Sequence, residues 1–107
     1  MFSILQGTTP TLTISVDKTD LLLSEIIGLE LVFQQIGDPI KKRMSDVIID
    51  TEENTVSYHF TEEETLALTP TRTLNWQIRF KLPDQNIVGT PIAQINVTDL
   101  ISNEVLT

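Results

Sequence analysis

The segment from Leu74 to Leu82 alternates strictly between apolar and polar residues, and this alternation limits the folds that are open to the chain. Its apolar positions are Leu74, Trp76, Ile78, Phe80 and Leu82. A period of two is typical of a β-strand that has one face in a core and the other in water. The segment therefore predicts a half-buried strand with Trp76 on the core side.

The same period occurs in four further segments, which are Leu12-Ile14-Val16, Leu29-Leu31-Phe33, Val56-Tyr58-Phe60 and Ala93-Ile95-Val97. Ile4 predicts a short N-terminal strand, and Val47-Ile48-Ile49 predicts a strand buried on both faces. Turn-forming residues separate the strands, at Asp17 to Asp20, Gly37 to Pro39, Glu52 to Thr55 and Pro83 to Asn86. We predict a single all-β domain over residues 1–107, an Ig-like antiparallel β-sandwich of about seven to eight strands with one short helix. A barrel is the alternative.

The helix is predicted where Thr61-Glu62-Glu63-Glu64 forms a capping box. Thr61 is the N-cap, and Glu64 is the N3 residue whose side chain reaches back to the cap. We expect the helix to run from Glu62 to Leu68, because Pro70 prevents it from continuing. Leu21 to Ile27 follows neither period, so this segment predicts a short turn or a bent strand.

Composition excludes several classes of function. The chain of 107 residues has no cysteine, which removes thiol catalysis, cysteine-based zinc sites and disulfides. Its net charge of −8 repels nucleic acid and anionic lipid, so we expect neither as a partner. The apolar runs are far shorter than the ~20 residues of a membrane span, and the start lacks a basic signal-peptide region. We expect synthesis and first folding in the cytoplasm, with export by another route left open.

The titratable residues form no recognisable catalytic set. His59 lies between Tyr58 and Phe60 and on the opposite face, so we expect it to face solvent alone. The acidic groups, Asp46, Asp50, Glu52, Glu53 and Glu62 to Glu64, fit turns and a helix cap better than a calcium loop, because no Asp-x-Asp-x-Asp-Gly is present. The sequence thus predicts no catalytic, cofactor or metal site and no enzyme, and it assigns no partner-binding residues.

Two further features have alternative interpretations. Lys41-Lys42-Arg43 is the one basic run, and it fits a loop or an edge strand that charge protects from aggregation. Its alternative is a contact patch for an acidic partner. Trp76 fits the core, with a sugar-stacking platform as the alternative.

Four segments carry a resemblance to a known group: Gln6-Gly7-Thr8-Thr9-Pro10-Thr11-Leu12, Val32-Phe33-Gln34-Gln35, Thr61 to Leu66, and Gln77-Ile78-Arg79 followed by Pro83-Asp84. The chain resembles, over nearly its whole length, small β-sandwich proteins encoded in prophages of Clostridia and related gut Firmicutes. That group is similar in outline to the Ig-like N-terminal domain of phage baseplate upper proteins. The chain departs from the group at Asp84-Gln85-Asn86, where members usually have Asp-Gly, so the resemblance does not fix the geometry of that turn.

The resemblance implies a phage or prophage structural or accessory protein of the tail or baseplate type, with the virion as its destination. It implies contacts with phage structural proteins or with copies of the chain itself, as a homo-oligomer, and it supplies no catalytic residue. A binding module for a host-surface glycan or a host protein is the alternative. Either function is expected at strand edges and loops.

Overall fold

Nine β-strands and one short helix form the part of the chain that the computed structural model describes, which is residues 3–16, 21–35, 39–70, 72–89 and 92–98. The strands are β1 (Ser3–Leu5), β2 (Thr11–Ser15), β3 (Gly28–Gln34), β4 (Ile40–Arg43), β5 (Ile48–Asp50), β6 (Thr55–His59), β7 (Thr73–Lys81), β8 (Ile87–Gly89) and β9 (Ala93–Thr98), and the helix is α1 (Glu62–Leu66). The turns predicted at Asp17 to Asp20 and at Gly37 and Asp38 lie outside the described residues.

The strands form two sheets. The larger sheet has the order β1-β9-β7-β3-β4, with β8 paired to β7, and the smaller has the order β2-β6-β5. In chain order, β2, β3, β5, β6, β7 and β9 correspond to strands B, C, D, E, F and G of an immunoglobulin domain. The order β2-β6-β5 then reproduces the B–E–D pairing, and β3-β7-β9 reproduces the C–F–G pairing. This confirms the predicted Ig-like β-sandwich. All pairings are antiparallel except that of β1 with β9, which is parallel.

The five alternating segments place most of their apolar residues between the sheets, as predicted, and Val16, Trp76 and Leu82 are partly buried against this core. The buried side chains of the larger sheet include Leu31, Phe33, Leu74, Ile78 and Ile95, and those of the smaller sheet include Leu12, Val56 and Tyr58. The ring centroid of Phe33 lies 5.6 Å from that of Tyr58 and 5.0 Å from that of Phe60. These separations are typical of favourable aromatic pairs, so the three rings join the sheets across the core.

The predicted capping box at the start of α1 is confirmed. Thr61 Oγ1 accepts the N–H of Glu64, and the Glu64 carboxylate accepts the N–H of Thr61. The helix ends at Leu66, two residues earlier than predicted: Ala67 is its C-cap, and the N–H of Leu68 donates to Thr65 O, three residues back, instead of continuing the α-helical pattern. The next carbonyls are bound instead by Gln6, whose Nε2 donates to Leu68 O at 2.6 Å. No helix in the described ranges has the length and apolar character that crossing a bilayer requires.

Two strand predictions need correction. Val47-Ile48-Ile49 does contribute a strand, but it is not buried on both faces: the side chain of Ile48 is 71% exposed. Ile48 pairs with Ser57 and so lies on the outer face of the smaller sheet, whereas Val47 and Ile49 pack against the core. The count of seven to eight strands is also too low, because β4 and the short β8 each pair in the larger sheet. Leu21 to Ile27 contains a 3₁₀ turn at Leu23–Glu25, which confirms the prediction of a short turn.

Asn54 is a polar residue inside the core that connects two distant loops. Its Nδ2 donates to the carbonyl oxygens of Val16 at 3.0 Å and Leu21 at 2.9 Å, and its Oδ1 accepts the N–H of Leu23 at 2.9 Å. The residue is 1% exposed and has a φ of 57°. Asparagine tolerates this left-handed conformation better than most residues. Its side chain therefore holds the connection between β2 and β3 against the β5–β6 turn.

Asn54 and Gln85, which has a φ of 72°, offer a matched test of this role. Asn54→Gly keeps the backbone conformation and removes three side-chain hydrogen bonds, two of them buried and one partly buried. We therefore expect a loss of about 2–4 kcal/mol in the free energy of unfolding, measured by urea denaturation. Gln85→Gly relieves backbone strain in an exposed turn, and we expect a gain of about 0.5 kcal/mol. Equal effects of the two substitutions would contradict the structural role of Asn54.

Candidate functional site

His59 lies at the end of β6 on the outer face of the smaller sheet. Its side chain is exposed, as predicted, but it is not alone: its Nδ1 lies 2.8 Å from Thr11 Oγ1 of the neighbouring strand. Thr13 Oγ1 and Ser57 Oγ form a second pair at 3.1 Å. These contacts form a cross-strand polar ladder on the outer face of the smaller sheet, and sheets commonly use such pairs for stability.

The acidic side chains bind backbone N–H groups, as predicted for turns and caps. Asp46 Oδ2 accepts the N–H of Arg43 at 2.8 Å. Asp50 Oδ1 accepts the N–H groups of Glu52 at 3.0 Å and Glu53 at 3.1 Å. Across the described ranges, no three His, Cys, Asp or Glu side chains come together as metal ligands.

A partly buried polar cluster lies between α1, β4 and β6. The hydroxyl of Tyr58 donates to the carboxylate of Glu64, 2.7 and 2.8 Å from its two oxygens. Lys42 Nζ lies 3.1 Å from Glu64 Oε2 and 5.3 Å from the centroid of the Tyr58 ring. Lys42, which belongs to the predicted basic run, therefore points inward and is not part of the outer surface.

The pKa shifts of Tyr58, Glu64 and Lys42 agree with a hydrogen bond and an ion pair formed among these three side chains. Burial raises the pKa of Tyr58 to about 12, and the hydrogen bond to the Glu64 carboxylate acts in the same direction. Burial alone would raise the pKa of Glu64, but donors from Thr61, Tyr58 and Lys42 lower it overall. Burial alone would lower the pKa of Lys42, but its partners Tyr58 and Glu64 raise it overall. The cluster attaches α1 to both sheets.

Trp76 is only partly buried, although it was predicted to lie in the core. It packs against the edge of the core cluster from β7. Part of the residue lines a depression of about 80 Å³ together with Val32 and the exposed Ile92. The predicted core contact is present, but it lies at the margin of the sandwich.

The outer face of the larger sheet concentrates positive charge in an otherwise acidic chain. Register places Arg43 and Arg79 beside Glu30, on neighbouring strands β4, β7 and β3. It places Lys41 beside Val32 and Lys81 beside Gly28 on the same face. We call Lys41, Arg43, Arg79 and Lys81, with Glu30 between them, the basic face. It contains four of the chain's seven Lys and Arg residues.

Glu30 orders the two arginines of the basic face. Its Oε2 accepts from Arg43 Nη1 at 3.0 Å, and its Oε1 accepts from Arg79 Nη2 at 2.6 Å. The side chain of Glu30 is 14% exposed, whereas those of Arg43 and Arg79 are 63% and 53% exposed. A guanidinium has five N–H donors, so each arginine keeps donors for a further acceptor while its position is fixed.

The arginines border a shallow depression with apolar sides. Its volume is about 340 Å³, and Met44, Phe80 and Ile87 contribute to its lining. Ile87 is 60% exposed and Met44 is 37% exposed. A Cβ at Gly89 would lie 3.2 Å from Arg79 Cγ, so the glycine leaves room for the stem of Arg79. Fixed arginines beside exposed apolar side chains are typical of protein-contact surfaces.

The basic face continues into a strand edge. Within the described residues, β8 pairs only with β7, and all three of its residues are exposed. Ile87 and Val88 are apolar, and β8 carries neither charge nor proline. Such an edge presents unpaired backbone N–H and C=O groups with which another chain can form hydrogen bonds. The predicted edge strand at Lys41-Lys42-Arg43 is also confirmed, as β4.

The sequence predicts only part of the basic face. The alternation of β7 puts Arg79 and Lys81 on the wet face, and the basic run supplies Lys41 and Arg43. The sequence does not show that β3 lies between them, because pairing register depends on the whole sheet. Glu30 gave no signal beyond its polar position in an alternating strand.

Comparison with known proteins gives no relative for this chain: no protein-family model matches it, and no curated protein matches its sequence. The choice of a contact surface therefore depends on the geometry described above.

The ionisation of Glu30 tests the arrangement of the basic face. The hydrogen bond from Arg79 is the largest cause that lowers the pKa of Glu30, with burial opposing it and the charges of Arg79, Arg43 and Lys41 adding to it. We therefore expect Arg79→Gln to raise this pKa more than Arg43→Gln does, as measured by NMR titration of the side-chain carboxyl group. The opposite order would contradict the arrangement.

The same lowered pKa has a consequence for stability. The folded chain holds Glu30 deprotonated more strongly than the unfolded chain does. Its contribution to the free energy of unfolding is therefore present above the unfolded pKa and is lost as pH falls through the folded pKa. Glu30→Gln should flatten the acid side of the stability profile, whereas a profile unchanged from that of the wild type would contradict the role of the carboxylate.

Proposed function

We propose that the protein is a structural or accessory component of the phage tail or baseplate type, which acts through protein–protein contacts made by the basic face and the adjoining β8 edge. The observation that carries the proposal is the sharing of one carboxylate by two exposed arginines, beside the exposed Ile87 and Met44. The surface needs little further ordering before it can dock, which lowers the cost of association.

The form of the surface favours a macromolecular partner. The depression is shallow, and its lining combines apolar side chains with charged ones, as protein interfaces do. A small anion would meet only the arginine donors that Glu30 leaves open, and it would leave the side chains of Met44 and Ile87 exposed. A partner that packs an apolar side chain against Ile87 and places carboxylates beside Arg43 and Arg79 would use both the apolar and the charged part of the surface.

The phage assignment is supported by the resemblance of the Gln6 to Leu12, Thr61 to Leu66 and Gln77 to Arg79 segments to prophage-encoded sandwich proteins. A two-sheet sandwich suits such a role, since it presents rigid faces and edges to its neighbours. The proposal assigns no catalysis and places the mature protein in the particle.

Quantitative mass spectrometry of purified phage particles, produced from a host that carries the gene, tests the proposal. We expect the wild-type chain to copurify with tail proteins at a fixed stoichiometry. Arg79→Glu should reduce this incorporation by more than tenfold, because it reverses charge at the centre of the basic face. Ser57→Glu adds a negative charge to the outer face of the smaller sheet, and it should have little effect. Absence of the wild-type chain from the particles would contradict the proposal.

A further inference from the structure

The basic face is a local excess of positive charge on a chain whose net charge is −8, so the remaining surface is strongly acidic. Part of that acidity lies in the turn between β5 and β6, where Asp50, Glu52 and Glu53 are all exposed. We call these three residues the acidic turn. Opposite charge on two separate surfaces of one chain is the condition for copies to attract each other.

Register shows where the acidic turn lies. Asp50 pairs with Thr55 at the end of the smaller sheet that adjoins the β2–β3 connection, because Asn54 binds Leu21 and Leu23 of that connection. The turn is therefore a tip at one end of the smaller sheet. The basic face lies on the outside of the other sheet, so the two surfaces point in different directions.

The acidic turn is itself well ordered. Asp50 Oδ1 accepts the backbone N–H groups of Glu52 and Glu53, which fixes the turn, while the buried Asn54 holds its base to the core. A rigid tip with adjacent carboxylates loses little conformational freedom when it docks. The surface that it would meet is equally ordered, since Glu30 fixes Arg43 and Arg79.

We propose that the occupant of the basic face is a second copy of this chain, which inserts its acidic turn into the depression lined by Arg43, Arg79, Lys81 and Ile87. This inference deepens the proposed function and rests on it for the use of the basic face. The contact is heterologous, since a face meets a tip, so each copy offers one of each and assembly proceeds to a ring or an open chain.

The proposal predicts association that weakens with salt. In sedimentation velocity and light scattering at low ionic strength, the mass of the wild-type chain should rise with concentration beyond that of a dimer. It should return to the monomer mass at about 1 M salt, where the screening length falls to roughly 3 Å. A wild-type chain that stays monomeric at about 0.5 mM and low salt, a concentration that reveals even millimolar dissociation constants, would overturn the proposal.

Two variants isolate the two halves of the contact. The face variant carries Lys81→Glu and Ile87→Asp, and the turn variant carries Glu52→Gln and Glu53→Gln; all four side chains are exposed, so folding should be preserved and is checked by thermal melting. Each variant alone should be monomeric. An equimolar mixture should form a 1:1 heterodimer and stop there, because only the intact face of the turn variant and the intact tip of the face variant can join.

The outcomes separate this inference from the proposed function. Association of the face variant by itself, or a mixture that stays monomeric, would overturn the face-to-tip contact. A monomeric chain that is nevertheless present in phage particles would overturn self-association and keep the proposed function. A chain that associates through face and tip but is absent from particles would overturn the proposed function and keep the contact.

Discussion

The contact between the inward faces of the two sheets is the interaction on which the remainder of the structure depends. Phe33 from the larger sheet meets Tyr58 from the smaller, with Phe60 against both. Strands with a period of two can bury one set of side chains in this contact only by turning the other set outward. The outer face of the larger sheet is thus available for charge, and Glu30, Arg43 and Arg79 occupy it as a consequence of core packing.

Three side-chain amides hold the segments that the sheets leave unpaired. Asn54 binds the β2–β3 connection, Gln6 binds the carbonyl oxygens that follow α1, and Gln35 binds the backbone at Thr69 from both its amide atoms. A buried backbone group without a partner is costly, so each amide replaces hydrogen bonds that a strand would have supplied. These bonds give the loops defined positions, which the acidic turn needs if it is to act as a rigid tip.

Alternation was sufficient to predict the strands of the core and the exposure of His59, because both follow from which face a residue occupies. The capping box at Thr61 was predictable for a similar reason, since its partners lie three residues apart. The exposure of Ile48 was not, because a run of apolar residues does not show whether a second layer covers the outer face of its sheet. Two other contacts join distant segments: Glu30 lies between two arginines, and the side-chain amide of Asn54 donates a hydrogen bond to Leu21 O. A period within one strand carries no information about either contact.

We propose that the basic face of one copy receives the acidic turn of another, and that the hydroxyl ladder of the smaller sheet takes no part in the contact. The most direct measurement is the change in backbone amide NMR shifts of the uniformly labelled chain as it is concentrated at low salt. The account predicts changes at Arg79, Lys81 and β8 together with Glu52 and Glu53, and constant shifts at Thr13 and Ser57. Constant shifts throughout, or changes confined to β2 and β6, would contradict it.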